Sequence, residues 1–211
     1  MYRPPAFRID DERALGFAAE RGFGLVVACR RDAPDGFHGV HVPFVLERDG
    51  GLGRLRFHVA RANPFHGIVA QASAVLVVVS GPDAYVSPDW YESADQVPTW
   101  NYAAVHLRGT ARVLPPEATR AHVDELSARF EAELRPKRPW STAKMTPARL
   151  ELMLRAIVAL EVEITGVEGQ FKLSQNKSAA DRQGVVAALR TRREAPGLAV
   201  ATLMEEALQA R

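Results

Sequence analysis

The chain has 211 residues, 47% hydrophobic and 25% charged, a length that buries a core within one domain without staples. Its formal net charge of +2 is spread along the sequence and gives no whole-molecule pull toward nucleic acid. A single cysteine, Cys29, excludes an intramolecular disulfide framework and a cysteine-built zinc cluster. No run approaches the ~20 consecutive apolar residues of a membrane span. The opening MYRPPAFRIDDE lacks the apolar core of a secretory signal, so the expected location is the cytoplasm, with no membrane partner.

Residues 11–22 (DERALGFAAERG) have the acidic opening of a short amphipathic helix. Leu25 to Cys29 is a continuous apolar run, predicted as a buried strand. From Val40 to Leu46 the residues alternate, with Val40, Val42, Phe44 and Leu46 on one face. Leu55, Phe57 and Val59 then alternate with Arg56, His58 and Ala60, and the turn Asp49-Gly50-Gly51 between the runs predicts a β-hairpin. Asn63 and Pro64 read as the N-cap and first residue of a helix.

Val75 to Ser80 reads as a strand ending at Gly81-Pro82, and residues 83–99 as a long ordered loop. Asn101 to Leu114 reads as a long strand stopped by Pro115-Pro116. Residues 117–134 are predicted helical, with Ala118, Val123, Leu126, Phe130 and Leu134 near one face. A second helix follows near 148–156, then a strand from Val158 to Ile164. After Gly166 and Gly169, Phe171 to Lys177 is a polar segment, and helices at 179–193 and 198–210 flank Ala195-Pro196-Gly197. Five or six strands with helices inserted late do not alternate as βαβ units. The expected class is α+β, an antiparallel barrel with flanking helices. Residues 1–177 are expected to form the barrel domain, and 178–211 a helical tail packed on it or on a dimer partner.

No GxxxxGK[ST] run, GxSxG elbow or HExxH helix is present, and Gly50-Gly51-Leu52-Gly53 is not a dinucleotide fingerprint. The six histidines lack metal-ligand spacing; His41, His58 and His106 fall on strands, where lining a barrel is an ordinary use. The last helix, AVATLMEEALQAR, begins apolar and then places Glu205 and Glu206, the wrong chemistry for reading base edges. The neighbouring Arg190, Arg192 and Arg193 read as a solvated helix end or, across a dimer, as part of a DNA-facing surface.

Four stretches, in order and spacing, resemble signatures of the PaiB family: MYRPPAF (Met1 to Phe7), HVARANP (His58 to Pro64), YVSPDWY with VPTWNYAAVH (Tyr85 to Tyr91, Val97 to His106), and FKLSQN (Phe171 to Asn176). Phe65 stands where that family's HVARANP run usually continues with glutamine, and QFKLSQN stands for the usual KWKLSQN. The resemblance covers almost the whole chain. It implies a split β-barrel of the pyridoxamine-phosphate-oxidase-like and flavin-reductase-like type, a homodimer with FMN at the subunit interface, and the role of a transcriptional regulator.

The residues make chemical sense of such a site. A flavin phosphate needs cationic and hydroxyl or amide donors, which Arg61, Asn63 and His58 offer with the backbone N–H groups of Ala60 to Ala62, and Val59 and His41 are also expected to bind the cofactor. An isoalloxazine ring needs flat walls and placed donors, which Trp100, Asn101 and Tyr102 combine. Lys172, Ser174, Gln175 and Asn176 are expected to touch the ligand or a second subunit. A purely structural reading also stands: Asn63 caps a helix, Arg61 is solvated and the aromatics pack a loop. No catalytic residue is evident; His106 and Tyr102 are the only proton donors to nominate near a flavin. Two other functions remain open: an FMN-dependent oxidoreductase acting on a small molecule, and a haem-binding split barrel with His41 or His58 as axial ligand.

Overall fold

The computed structural model describes residues 1–30, 36–48, 50–71 and 73–209. Among them the strands are β1 (Arg8–Ile9), β2 (Phe23–Cys29), β3 (Phe37–Pro43), β4 (Val45–Glu47), β5 (Arg54–Ala60), β6 (Ala74–Val86), β7 (Thr99–Val113) and β8 (Ile157–Lys172). The α-helices are α1 (Asp11–Arg21), α2 (Phe65–Gln71), α3 (Ala118–Ala132), α4 (Pro147–Arg155), α5 (Ala179–Arg192) and α6 (Ala195–Gln209). β2 pairs antiparallel with β3 and with β6; β5 pairs antiparallel with β4 and with β8; β1 adds to β8. The order β3-β2-β6-β7-β8-β5-β4 is an open path, not a closed ring. This is the α+β split barrel expected from the sequence.

The chain divides into two compact units. The first comprises Met1–Ala14, Ser80–Val105 and Glu168–Arg211; the second comprises Leu15–Val79 and His106–Val167. In the second, Leu55, Phe57 and Val59 of β5 are buried while Arg54 and Ala60 are exposed, the alternation a one-sided strand requires. Each such buried side chain contributes about 1.5–3 kcal/mol of apolar transfer. In the first, α5 and α6 pack together and bury Val185, Leu189, Val200, Ala201 and Met204.

Several elements differ from the sequence expectation. The run Val40 to Leu46 is two strands: the chain leaves β2 after Pro43 and joins β5 at Val45. Phe44 lies between them, fully buried, and its N–H donates to the Gly22 carbonyl at 2.8 Å. The hairpin to β5 forms; Asp49 of its turn is outside the described residues, while Gly50 and Gly51 take φ of 100° and 66°. β6 does not stop at Gly81-Pro82 but runs to Val86. Its pairing with β2 ends at Val78, so Pro82, which has no N–H to give, removes no bond from that ladder.

β8 runs through Gly166 and Gly169 to Lys172. Gly169 is there because a Cβ would lie 2.4 Å from Ile9 Cγ1, so the glycine admits β1 and does not break the strand. Of the predicted α3 stripe, Leu126 is buried, Ala118, Val123 and Phe130 are half-buried and Leu134 is 54% exposed, while Thr119 and His122 are buried as well. α6 starts at Ala195, placing Pro196 in its first turn, where proline is tolerated, and not in a linker. Ala210, at the predicted end of this helix, is outside the described residues.

Candidate functional site

In the first unit, β7 alternates: Asn101, Ala103 and Val105 are buried, while Trp100 and Tyr102 lie on the opposite, more exposed face. Tyr85 of β6 meets Trp100 edge-on, with ring centroids 6.0 Å apart at 76°, and the two side chains are 47% and 53% exposed. From β8, Gln170 Nε2 donates to Tyr102 Oη at 2.6 Å, and the Lys172 ammonium donates to Thr99 Oγ1. Burial pulls the Lys172 pKa below its ordinary value. Gln170 Oε1 is buried and accepts no hydrogen bond from the described residues. A cleft of about 530 Å³ is lined by Tyr85, Ser87, Trp90, Trp100, Arg192 and Pro196 among others. Aromatic surface, a cation and an amide are the chemistry that a flavin ring, with its edge N–H and carbonyls, requires, though neither Lys172 nor Gln170 lines the cleft itself. The residues fit the group.

Other predicted residues of this unit make hydrogen bonds within the fold. Asn101, fully buried, donates to Ser174 Oγ at 3.0 Å, accepts from the same hydroxyl at 3.2 Å and lies 3.4 Å from Met204 Sδ. Gln175 closes the turn after β8, accepting from Leu173 N–H at 2.7 Å and donating to the Phe171 carbonyl at 2.6 Å. Asn176 is exposed. The loop after Trp90 is pinned by Asp181, which the sequence reading missed. Its carboxylate accepts the Ser93 N–H at 2.9 Å and the Ser93 hydroxyl. The backbone bond from Ser93 holds the Asp181 pKa below the ordinary range, against the opposing effect of desolvation. Lys177 adds a bond to Gln96 and stands 5.2 Å from the Tyr91 ring.

The HVARANP residues and His41 lie in the second unit. His58 Nδ1 faces His122 Nε2 at 3.1 Å, with ring centroids 5.3 Å apart. Burial lowers the His58 pKa. That of His122 falls to about 4, through burial first, then His58 and Arg56. His122 was not predicted as a site residue, because one polar residue in a helix carries no sequence signal for burial. Arg61 donates from Nε to the Arg155 carbonyl at 2.7 Å and from Nη2 to the Ile157 carbonyl at 2.9 Å, clasping the end of α4. Its N–H donates to the Ala156 carbonyl at 2.7 Å.

Asn63 Oδ1 accepts the Phe65 N–H at 2.9 Å, capping α2. Val59 and Ala60 pair with Val158 and Ile157. His41 stacks on Phe23 at 6.2 Å. Phe65, in the position where glutamine was usual, is 2% exposed and packs edge-on to Phe57. The predicted residues therefore form two groups, His41 to Asn63 in one unit and Trp100 to Asn176 in the other. The basic run is largely neutralised: Arg190 pairs with Glu205 at 2.7 Å and Arg192 with Glu194 at 2.6 Å. No helix among the described residues is long and apolar enough to cross a membrane.

Comparison with known proteins agrees with this chemistry. Residues 1–166 match the family described as "Putative FMN-binding domain". The "Protease synthase and sporulation protein PAI 2" of Bacillus subtilis is 30% identical over 210 residues, covering 99% of both chains. An uncharacterized protein of Emericella nidulans is 30% identical over 201 residues, covering 79% of this chain and 80% of its own. Among solved structures, the FAD and heme binding protein of Mycobacterium smegmatis aligns with a TM-score of 0.56 at 20% identity, over 85% of this chain and 78% of that one. The flavocytochrome Anf3 of Azotobacter vinelandii aligns at 0.52 and 19% identity, over 78% and 68%. At those identities the likeness concerns the fold. The family match spans most of the chain and the Bacillus relative nearly all of it, and so the chain belongs to the PaiB-type family of FMN-binding proteins.

Proposed function

We propose that this chain is a cytoplasmic FMN-binding regulator whose flavin ring docks on the Tyr85–Trp100–Tyr102 face, with Lys172 and Gln170 at its edge and a second copy of the chain completing the site. One observation carries the reading: Tyr85 and Trp100 stand half exposed against each other, and Tyr102, on the same face of β7 as Trp100, accepts from Gln170 Nε2. A second copy would also cover Tyr2 and Val97 of the same unit, 88% and 71% exposed. DNA contact, in this proposal, is made by the dimer and not by α5 and α6 of one copy, where Arg190 and Arg192 are already paired.

The test is retention of flavin by the purified protein after FMN is added and the excess removed, read by visible absorbance, with mass from light scattering. The proposal expects one flavin per chain on a dimer, lost in Trp100→Ala and in Lys172→Ala with unchanged circular dichroism. A folded protein that leaves the column colourless refutes it.

A further inference from the structure

We infer that the second unit carries a separate binding site for a small uncharged aromatic molecule bearing a hydroxyl group, of the phenol class, with His58 as its polar contact. The site is a pocket of about 240 Å³ lined by Trp140, Met145, Leu150, Met153 and His58 among others, with no charged side chain of the described residues in its wall. A wall without charge selects a neutral ligand, since an ion entering it would lose hydration without compensation. The volume sets the size: an apolar cavity of about 150 Å³ accepts benzene, so this pocket accepts one ring with substituents or two fused rings. Trp140 and the two methionines favour an aromatic face over an aliphatic chain. Met153 is 44% exposed, so the pocket opens to solvent beside it.

His58 supplies the polar contact. Its Nδ1 is engaged with His122 Nε2 at 3.1 Å, and no hydrogen bond is made by its Nε2 among the described residues. Both rings are held neutral by burial, so the pair shares one proton across the contact. If His122 donates, His58 presents an N–H at Nε2; if His58 donates, it presents a lone pair there. A hydroxyl satisfies either form, which an ether or a bare hydrocarbon does not. This site goes beyond the flavin reading and does not rest on it: FMN carries a charged phosphate and three fused rings, which this pocket suits in neither charge nor size.

The experiment is a titration of protein labelled at the methionine methyls, followed by carbon–proton NMR, with phenol and with toluene as probes. The four methionines provide their own controls. Phenol is expected to shift Met145 and Met153 saturably at millimolar concentration while Met1 and Met204 stay in place, and toluene to bind about tenfold more weakly. His58→Phe should weaken phenol about tenfold and leave toluene unchanged. His58→Gln, which keeps a polar partner for His122, serves if the first variant does not fold. Met153→Trp should fill the mouth and abolish both. Absence of a saturable shift at Met145 and Met153, equal affinity for phenol and toluene, or displacement of phenol by FMN would each overturn the inference. Failure to retain FMN leaves it standing, so the two proposals fail separately.

Discussion

Lowering the pH from 7 to 5 should cost this fold about 2 kcal/mol through one side chain, His122. Its imidazole titrates at an ordinary 6.5 when the chain is unfolded and at about 4 when folded, because the ring is 1% exposed, faces His58 and feels Arg56. Between those two values the unfolded chain binds a proton at this position that the folded chain refuses. Unfolding therefore takes up a proton, and stability falls as pH drops through the window, levelling off below the folded value. At pH 5 the unfolded imidazole is about 97% protonated and the folded one about 9%, a differential of about 2 kcal/mol; the ceiling at lower pH is about 3.4 kcal/mol. His58, shifted the same way, adds to the effect.

Urea unfolding followed by tryptophan fluorescence measures it. With a slope of about 1–3 kcal/mol per molar urea, the midpoint should fall by roughly 1 M between the two pH values. His122→Asn should unfold at lower urea than the wild type at pH 7 and lose most of this pH dependence. A wild-type midpoint unchanged from pH 7 to pH 5, or a variant that keeps the full dependence, refutes the reasoning.

Gly184 of α5 approaches the 3₁₀ turn Pro88–Trp90 so closely that a Cβ would lie 2.2 Å from the Trp90 carbonyl oxygen. Gly184→Ala should therefore lower stability by about 1–3 kcal/mol despite its better helix propensity. Gly67→Ala in α2, where a Cβ meets nothing within 4 Å, should raise it by up to about 1 kcal/mol, and thermal melts compare the two. Arg61→Met removes two donors from the Arg155 and Ile157 carbonyls and should cost about 1–2 kcal/mol in urea unfolding. Asp181→Asn should speed hydrogen exchange in residues 91–98. In the wild type the Asp181 contribution is complete above its ordinary value of 3.8 and fades as pH falls below that, through the lower folded value.

Where periodicity decides structure, the sequence was readable. Leu55, Phe57 and Val59 announce their strand, Asn63 its cap, and the run from Asn101 to the Pro115-Pro116 stop the long strand β7. What was hidden depends on neighbours distant in sequence. Pro82 and Gly169 are ordinarily breakers, but Pro82 lies beyond the end of one ladder and Gly169 beneath Ile9, facts that only the pairing supplies. His122 enters the core because His58 is there to meet it. Within the candidate site, the aromatic and lysine positions Trp100, Tyr102 and Lys172 were legible from residue chemistry. Gln170 and Asp181 were not, since an orphaned acceptor and a loop anchor are defined by three-dimensional surroundings alone. Asn101 and Ser174 were each expected at a ligand, yet they bond each other inside the core, a pairing across 73 residues that no local pattern announces.

The first unit is drawn from three separated stretches, residues 1–14, 80–105 and 168–211, whereas the second needs nothing beyond residue 167. On the ribosome the two consequently mature at different times. The second unit can close while the remainder is still being translated, but the strand segments within residues 80–105 that carry Tyr85 and Trp100 must wait several seconds for α5 and α6 to emerge. A nascent chain arrested in that interval leaves Asn101 without Ser174 and Met204, and the Pro88–Trp90 turn without the helix that packs on it. Chaperone engagement, and the proteolytic fate of truncated products, should accordingly concentrate on this late-closing half.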